Sequence, residues 1–274
     1  MNTLLDNPAV QAALVPFVVA FVVAALLFRT RLTGLAIGAG FAAVIVLAIG
    51  FGFEPLTAVR KMVLCAAGAC VLLVLLELSP ISASTGVRIS LAIAAAVAGI
   101  WVVLRVLQQQ ETGPGLLGAA GAAAYMAAFV GGGIRADADP LGLATTGLMM
   151  GLCSGALALL GASASLAEVG IAVGASSGAV LLLQMLAARR PPSGWTLALP
   201  ASVVAGLVGL LAVFTASLPW YCLVPTLAIP WATRFYSRGN RPVWLTAFLM
   251  ALLALIPVLV AVAVAWFTAN ASPT

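Results

Sequence analysis

Seven carboxylates and twelve Lys or Arg residues are all the fixed charges this 274-residue sequence offers for chemistry, and it has no histidine. The commonest general base and the commonest metal ligand are therefore missing. Glu168 is the carboxylate best placed for function, because it lies inside an apolar stretch, where an ionisable group is costly to keep. At 100° per residue, Ser165, Glu168, Ala172 and Ser176 share one helix face, which reads as a substrate- or proton-contacting stripe. Arg105, expected at the same membrane face, is its natural partner. Glu77 is expected to pair locally with Arg88, and Gln184 to make a helix–helix hydrogen bond. Asp137 and Asp139 form a short acidic pattern of the kind that holds a divalent ion and a phosphate. With no second acidic cluster, and with Pro140 next in the chain, it reads instead as a solvated turn. Ser154, Ser163, Ser176 and Ser177 have no nearby His or Lys to activate them. The cysteines Cys65, Cys70, Cys153 and Cys222 lack metal-ligand spacing and read as small apolar side chains. The expectation is a protein with no catalytic residue, no metal and no cofactor.

The elements that must position these groups are best seen between Thr145 and Gln184. Two apolar segments stand there back to back, joined by Gly161-Ala162-Ser163-Ala164-Ser165. Gly147, Gly151 and Gly155 recur every four residues in the first, and Gly170, Gly174 and Gly178 in the second. Four residues are one helical turn plus about 40°, so each trio makes a slowly drifting groove without side chains. Such grooves let helix backbones approach closely in lipid. A tightly packed helical hairpin is expected.

Composition sets the class. The chain is 64% apolar and 7% charged, whereas a soluble domain carries about 25% charged residues. Most of its surface must face lipid. The apolar runs are continuous and do not alternate with period two, which excludes a barrel. The fold class expected is all-α, a polytopic helical bundle of about ten transmembrane helices forming one membrane domain. The formal charge of +5 reads as topology-marking arginines. No basic run with interleaved aromatics exists for nucleic acid. The expected partners are the bilayer, and further membrane subunits or copies of the same chain.

The spans fall at about 11–28, 33–52, 62–79, 88–107, 115–133, 141–160, 165–187, 195–217, 219–234 and 243–268. The first ten residues carry only Asp6, so a cleaved signal peptide is not expected. An outside N-terminus puts Arg29, Arg31, Arg88, Arg135, Arg189, Arg190, Arg234, Arg238 and Arg241 inside, against Arg60, Lys61 and Arg105 outside. Nine against three follows the positive-inside rule. Without the proline-rich ninth span the count levels at six against six. Both termini are thus expected outside, in a bacterial cytoplasmic membrane. Pro200, Pro225, Pro230 and Pro257 fall within spans, as in the broken helices of transporters. A weak internal echo, Thr33 to Gly38 against Thr146 to Gly151, reads as chance in a chain so rich in Ala, Gly and Leu.

In length and number of spans the chain resembles the drug/metabolite transporter superfamily, and Gly131-Gly132-Gly133 is similar to glycine runs in sulfite/taurine-type exporters. Both resemblances imply transport. The expected outside termini depart from the cytoplasmic termini usual in the first group. The leading expectation is a small-solute transporter or permease, which requires a mid-membrane cavity lined by Ser176, Ser177, Tyr125 or Thr146. The alternative is a non-catalytic membrane subunit or assembly protein, marked by a solid core and a glycine-lined outer face near Gly115, Gly118 and Gly121.

Overall fold

The computed structural model describes residues 10–49, 56–79, 84–134, 139–216, 218–235 and 242–271. Within them it is helical, with no strand. The helices are α1 (Val15–Leu27), α2 (Leu35–Val44), α3 (Ala58–Leu78), α4 (Thr85–Gln108) and α5 (Thr112–Gly133). They continue with α6 (Pro140–Leu160), α7 (Ala164–Ala187), α8 (Leu199–Phe214), the single turn α9 (Ile229–Ala232) and α10 (Val243–Ala271). Seven of the helical stretches are long and apolar enough to cross a membrane. Two shorter apolar ones, Arg31–Leu47 and Leu199–Phe214, accompany them.

The bundle is organised around α6, α7 and α8. Helix α8 is buried over nearly its whole length, from Leu199 to Ala212. The α1–α2 hairpin packs on α7, α3 and α5 pack on α8, α4 pairs with α5, and α10 lies along α6. The outer helices turn large apolar side chains outward, such as Leu26, Leu78, Leu117 and Phe267. That is the pattern of a lipid-facing shell around a packed centre. Lipid tails are as apolar as these side chains, so hydrophobicity cannot by itself hold such helices together; close packing must.

Close packing is what the glycines provide. A Cβ on Gly151 would lie 2.6 Å from the Gly174 Cα, and one on Gly170 2.6 Å from the Gly155 Cα. A Cβ on Gly155 would meet the Ile171 backbone nitrogen at 2.8 Å. Gly147 faces Ser177, Gly174 faces Leu152, and Gly178 faces Leu148. Each of the six glycines therefore looks at the partner helix, and the α6–α7 backbones touch where no side chain intervenes. Ala162, in the left-handed region at φ 63°, turns the chain between the two helices.

Two proline positions differ from expectation. Pro200 does not sit mid-helix: α8 starts at Leu199, after a tight turn over 195–198, and Pro200 occupies the first helical turn. No intrahelical hydrogen bond is lost there. The ninth segment is not one helix. It is a 3₁₀ turn Trp220–Leu223, a second Pro225–Ala228, the turn α9, and a third 3₁₀ turn Thr233–Phe235. Pro225 and Pro230 each stand in the first turn of a new piece. The prolines punctuate this segment because a proline ring clashes with the preceding turn of a continuous helix.

Candidate functional site

The broken segment places hydroxyl groups against the centre of the bundle. Thr226 donates to the Leu223 carbonyl at 2.6 Å, and its side chain reaches the Tyr125 hydroxyl of α5. Tyr125 is stacked on Phe129, with ring centroids 5.3 Å apart. Pro230 sits over Gly132, where a Cβ would meet its ring at 3.0 Å. One turn on, the Thr233 and Thr146 hydroxyls lie 3.3 Å apart, joining the segment to α6. Thr233 is also 3.3 Å from the Pro230 carbonyl. Irregular backbone at membrane depth is tolerated only where protein or a water-filled cavity surrounds it. Here α5, α6 and α10 cover its inner side, where Cys222, Thr226, Ile229, Pro230 and Thr233 are buried, while Trp220, Val224 and Trp231 face outward. The result is a seam of neutral donors and acceptors: Tyr125, Thr226, Thr233, Thr146 and the irregular carbonyls. Its hydroxyls bond to one another or to backbone carbonyls.

Of the four hydroxyl residues expected to line a central cavity, two border the broken segment, Tyr125 at Thr226 and Thr146 at Thr233. Ser176 and Ser177 lie elsewhere, on α7. Ser176 donates to the Ala172 carbonyl at 2.6 Å and is wedged against Gly40 of α2. The Pro16 carbonyl of α1 closes on the same glycine. Ser177 presses on Gly147. Both serines are fully buried in packed helix junctions. Two surface cavities are lined by none of the four residues. One is an apolar groove of 450 Å³ between α2 and α3, and the other an open cleft of 690 Å³ lined by Phe28, Arg29, Ala187, Arg189, Arg190 and Pro192.

The stripe on α7 runs from the surface inward: Ser165 is exposed, Glu168 half-buried, and Ala172 and Ser176 buried. It faces the α1–α2 hairpin. The expected Glu168–Arg105 contact is not formed. Arg105 is exposed on α4, which pairs with α3, α5 and α8, whereas α7 packs on α1, α2, α6 and α8. Membrane side and helix order say which end a charge occupies, but not which helices are neighbours.

The expected Glu77–Arg88 pair is also replaced. Glu77, 8% exposed, accepts a hydrogen bond from the Thr196 hydroxyl. The turn before α8 has folded under α3, so that a Cβ on Gly194 would lie 3.0 Å from Glu77 Oε2. A side chain at 194 would displace the carboxylate. Arg88 is half-buried, and its Nε has no hydrogen-bond partner.

Gln184 does join two helices, its amide donating to the Pro140 carbonyl at 3.4 Å. Asp139 is no open turn. It caps α6 through the Leu141 N–H, and its Oδ2 stands 3.0 Å from Arg190. Asp137 lies outside the described residues, among which no group of three or more acidic, Cys or His side chains comes together.

Sequence reasoning missed one buried cation. Lys61 is 8% exposed; its Nζ donates to the Trp101 carbonyl at 3.0 Å and lies 5.2 Å from the centre of the Trp101 ring. A carbonyl and an aromatic face together replace part of the lost hydration. A lysine at a span end looks like any topology marker until the neighbouring helix is known.

The chain matches no family model, no curated protein and no solved structure. What the fold itself defines is a helical protein with several helices long and apolar enough to cross a membrane, around a packed centre.

Proposed function

We propose that this protein is a small-solute transporter of ten crossings, in which the segment Trp220–Phe235 is a discontinuous span and the Tyr125/Thr226/Thr233/Thr146 seam is where the solute passes. The observation that carries the reading is the course of that segment. Leu218 lies beside Gly161 at one end of α6, and Thr233 beside Thr146 near the other. Those positions on α6 are fifteen residues apart, about 22 Å along a helix. A chain that advances so far beside α6 crosses most of the hydrocarbon layer. It does so with its backbone irregular where neutral hydroxyls gather, as in transporters with discontinuous helices. The positive-inside count adds the orientation, with both termini outside the cytoplasmic membrane. The protein acts without catalysis of its own. Glu168 is the carboxylate this reading assigns to a coupling proton.

The test is flux into vesicles containing the purified protein, with neutral polyols, sugars and amides as solutes and an imposed proton gradient in a second series. Thr146→Val with Thr233→Val removes both hydroxyls of the contact at nearly constant volume. The pair is expected to lower solute flux by about tenfold or more, an effect worth about 1.4 kcal/mol on the barrier, with yield and thermal stability close to wild type. Glu168→Gln is expected to abolish proton-driven uptake and leave passive flux. If the wild type passes none of these solutes, or the double variant passes them equally well, the seam is structural.

A second reading, a non-catalytic subunit or assembly protein, is favoured by the outer face of α5. Of the three glycines expected to line that face, Gly121 has open space in front of it, whereas Gly115 closes on the Leu107 carbonyl of α4 and Gly118 on Leu107 and on Phe214 of α8; Leu116 and Leu117 beside them are exposed. An open glycine on a helix face lets another helix approach closely. Gly121→Leu would then remove a co-purifying partner without altering flux.

A further inference from the structure

We propose that the cleft between the ends of α1 and α7 binds the phosphate of an anionic headgroup, with Arg29 and Arg189 as its direct ligands. The open cleft of 690 Å³ is lined by Phe28, Arg29, Ala187, Arg189, Arg190 and Pro192. Three of its six lining residues are arginines. Only Arg190 has a carboxylate partner among the described residues, Asp139 at 3.0 Å. Arg29 and Arg189 are exposed and have no carboxylate partner among the described residues, one following α1 and the other following α7. Among the described residues the site thus carries two positive charges without a carboxylate partner, the balance of three arginines against Asp139.

The backbone is shaped to produce this arrangement. Helix α7 ends at Ala188, held in the left-handed region at φ 47° although it is not glycine. That bend stops the helix abruptly. Arg189 and Arg190 then leave on a non-helical path, and Pro191-Pro192 prevents any return to helix. Asp139, itself fixed as the cap of α6, holds Arg190 and so anchors one wall. Phe28 and Ala187 supply apolar lining, at the ends of the outer helix α1 and the central helix α7. A cationic mouth with an apolar lining fits a phosphate that enters from the lipid side. Guanidinium groups bind phosphate oxygens in a bidentate fork, and basic pockets between membrane helices take anionic headgroups. A free phosphate or phosphorylated solute shares the same chemistry, and the experiment separates the two sources.

The full-length protein, stripped of lipid in a neutral detergent, is titrated with short-chain phosphatidylglycerol, with phosphatidylcholine of the same chains, and with inorganic phosphate. Binding is read by native mass spectrometry and by the shift in thermal unfolding. Phosphatidylglycerol is expected to bind and raise the unfolding temperature, and phosphatidylcholine to do so much more weakly. Arg29→Gln and Arg189→Gln are each expected to weaken binding by about fivefold, the effect of one arginine on an anionic lipid. Arg29→Lys, which keeps the charge but not the bidentate fork, is expected to weaken binding less than Arg29→Gln does. Arg105→Gln, on another part of the surface, leaves it unchanged. Phosphate that competes only weakly marks a lipid headgroup site; phosphate as tight as the lipid marks a site for a free anion. Equal binding of the two lipids by the wild type overturns the proposal. So do folded Arg29→Gln and Arg189→Gln proteins that bind phosphatidylglycerol as the wild type does.

Discussion

At the scale of the residue, glycine matters here through the space it leaves. Gly151 and Gly121 are both helical glycines in apolar runs, and a propensity scale treats them alike. Their surroundings differ completely: one faces the Gly174 backbone, the other has nothing within 4 Å. Gly151→Ala is expected to destabilise the protein by about 1–3 kcal/mol, because two backbones must part to admit the methyl. Gly121→Ala is expected to be neutral or to stabilise by up to about 1 kcal/mol, through helix propensity alone. Reversible unfolding in mixed micelles distinguishes them. Equal effects would mean that the α6–α7 contact does not limit stability. The regular spacing of Gly147, Gly151 and Gly155 made this groove legible in the sequence. The same spacing could not reveal Gly40, which makes room for Ser176 at the junction of α1, α2 and α7.

At the scale of the element, the connection between α7 and α8 is the clearest departure from the expected pattern. The residues 193–198 look like a loop plus the start of a helix. In the structure they are largely buried, with Leu197 packed over Gly34 and Thr196 hydrogen-bonded to Glu77. Glu77→Ala leaves that hydroxyl and a void behind, which is expected to cost about 1–3 kcal/mol. Hydrogen exchange in 193–198 is expected to rise with it. Glu77→Gln keeps an acceptor and is expected to protect the turn. If exchange there is unchanged in Glu77→Ala, the turn is held by packing alone. A carboxylate three residues before a proline gave no sign of this role, because its partner lies more than a hundred residues away in the chain.

At the scale of the whole molecule, the question is how many times the chain crosses the bilayer. Seven helices are long enough by themselves, and the tenfold count depends on α2, α8 and the broken segment. Trp220 and Arg234 bracket that segment. In a background with Cys65, Cys70, Cys153 and Cys222 replaced by alanine, Trp220→Cys is expected to react with an impermeant maleimide from outside. Arg234→Cys is expected to react only after the membrane is opened. Labelling of both from one side would make 220–235 a re-entrant segment, and would place the arginines that follow it on the outer face.

The sequence by itself determined the class, because an apolar fraction of 64% with 7% charge leaves no means of covering a surface in water. It also determined the α6–α7 hairpin, since glycine periodicity and a short link are local signals. The tertiary structure decided which charges and hydroxyls meet. It put Thr146 beside Thr233 rather than Ser176, Glu77 beside Thr196 rather than Arg88, and α4 away from α7, so that Arg105 and Glu168 stand apart. The reason is physical. In lipid every apolar helix face is equally content facing outward, so hydrophobic pattern cannot choose neighbours. Shape does, and the shape of a contact is written jointly by residues far apart in the chain.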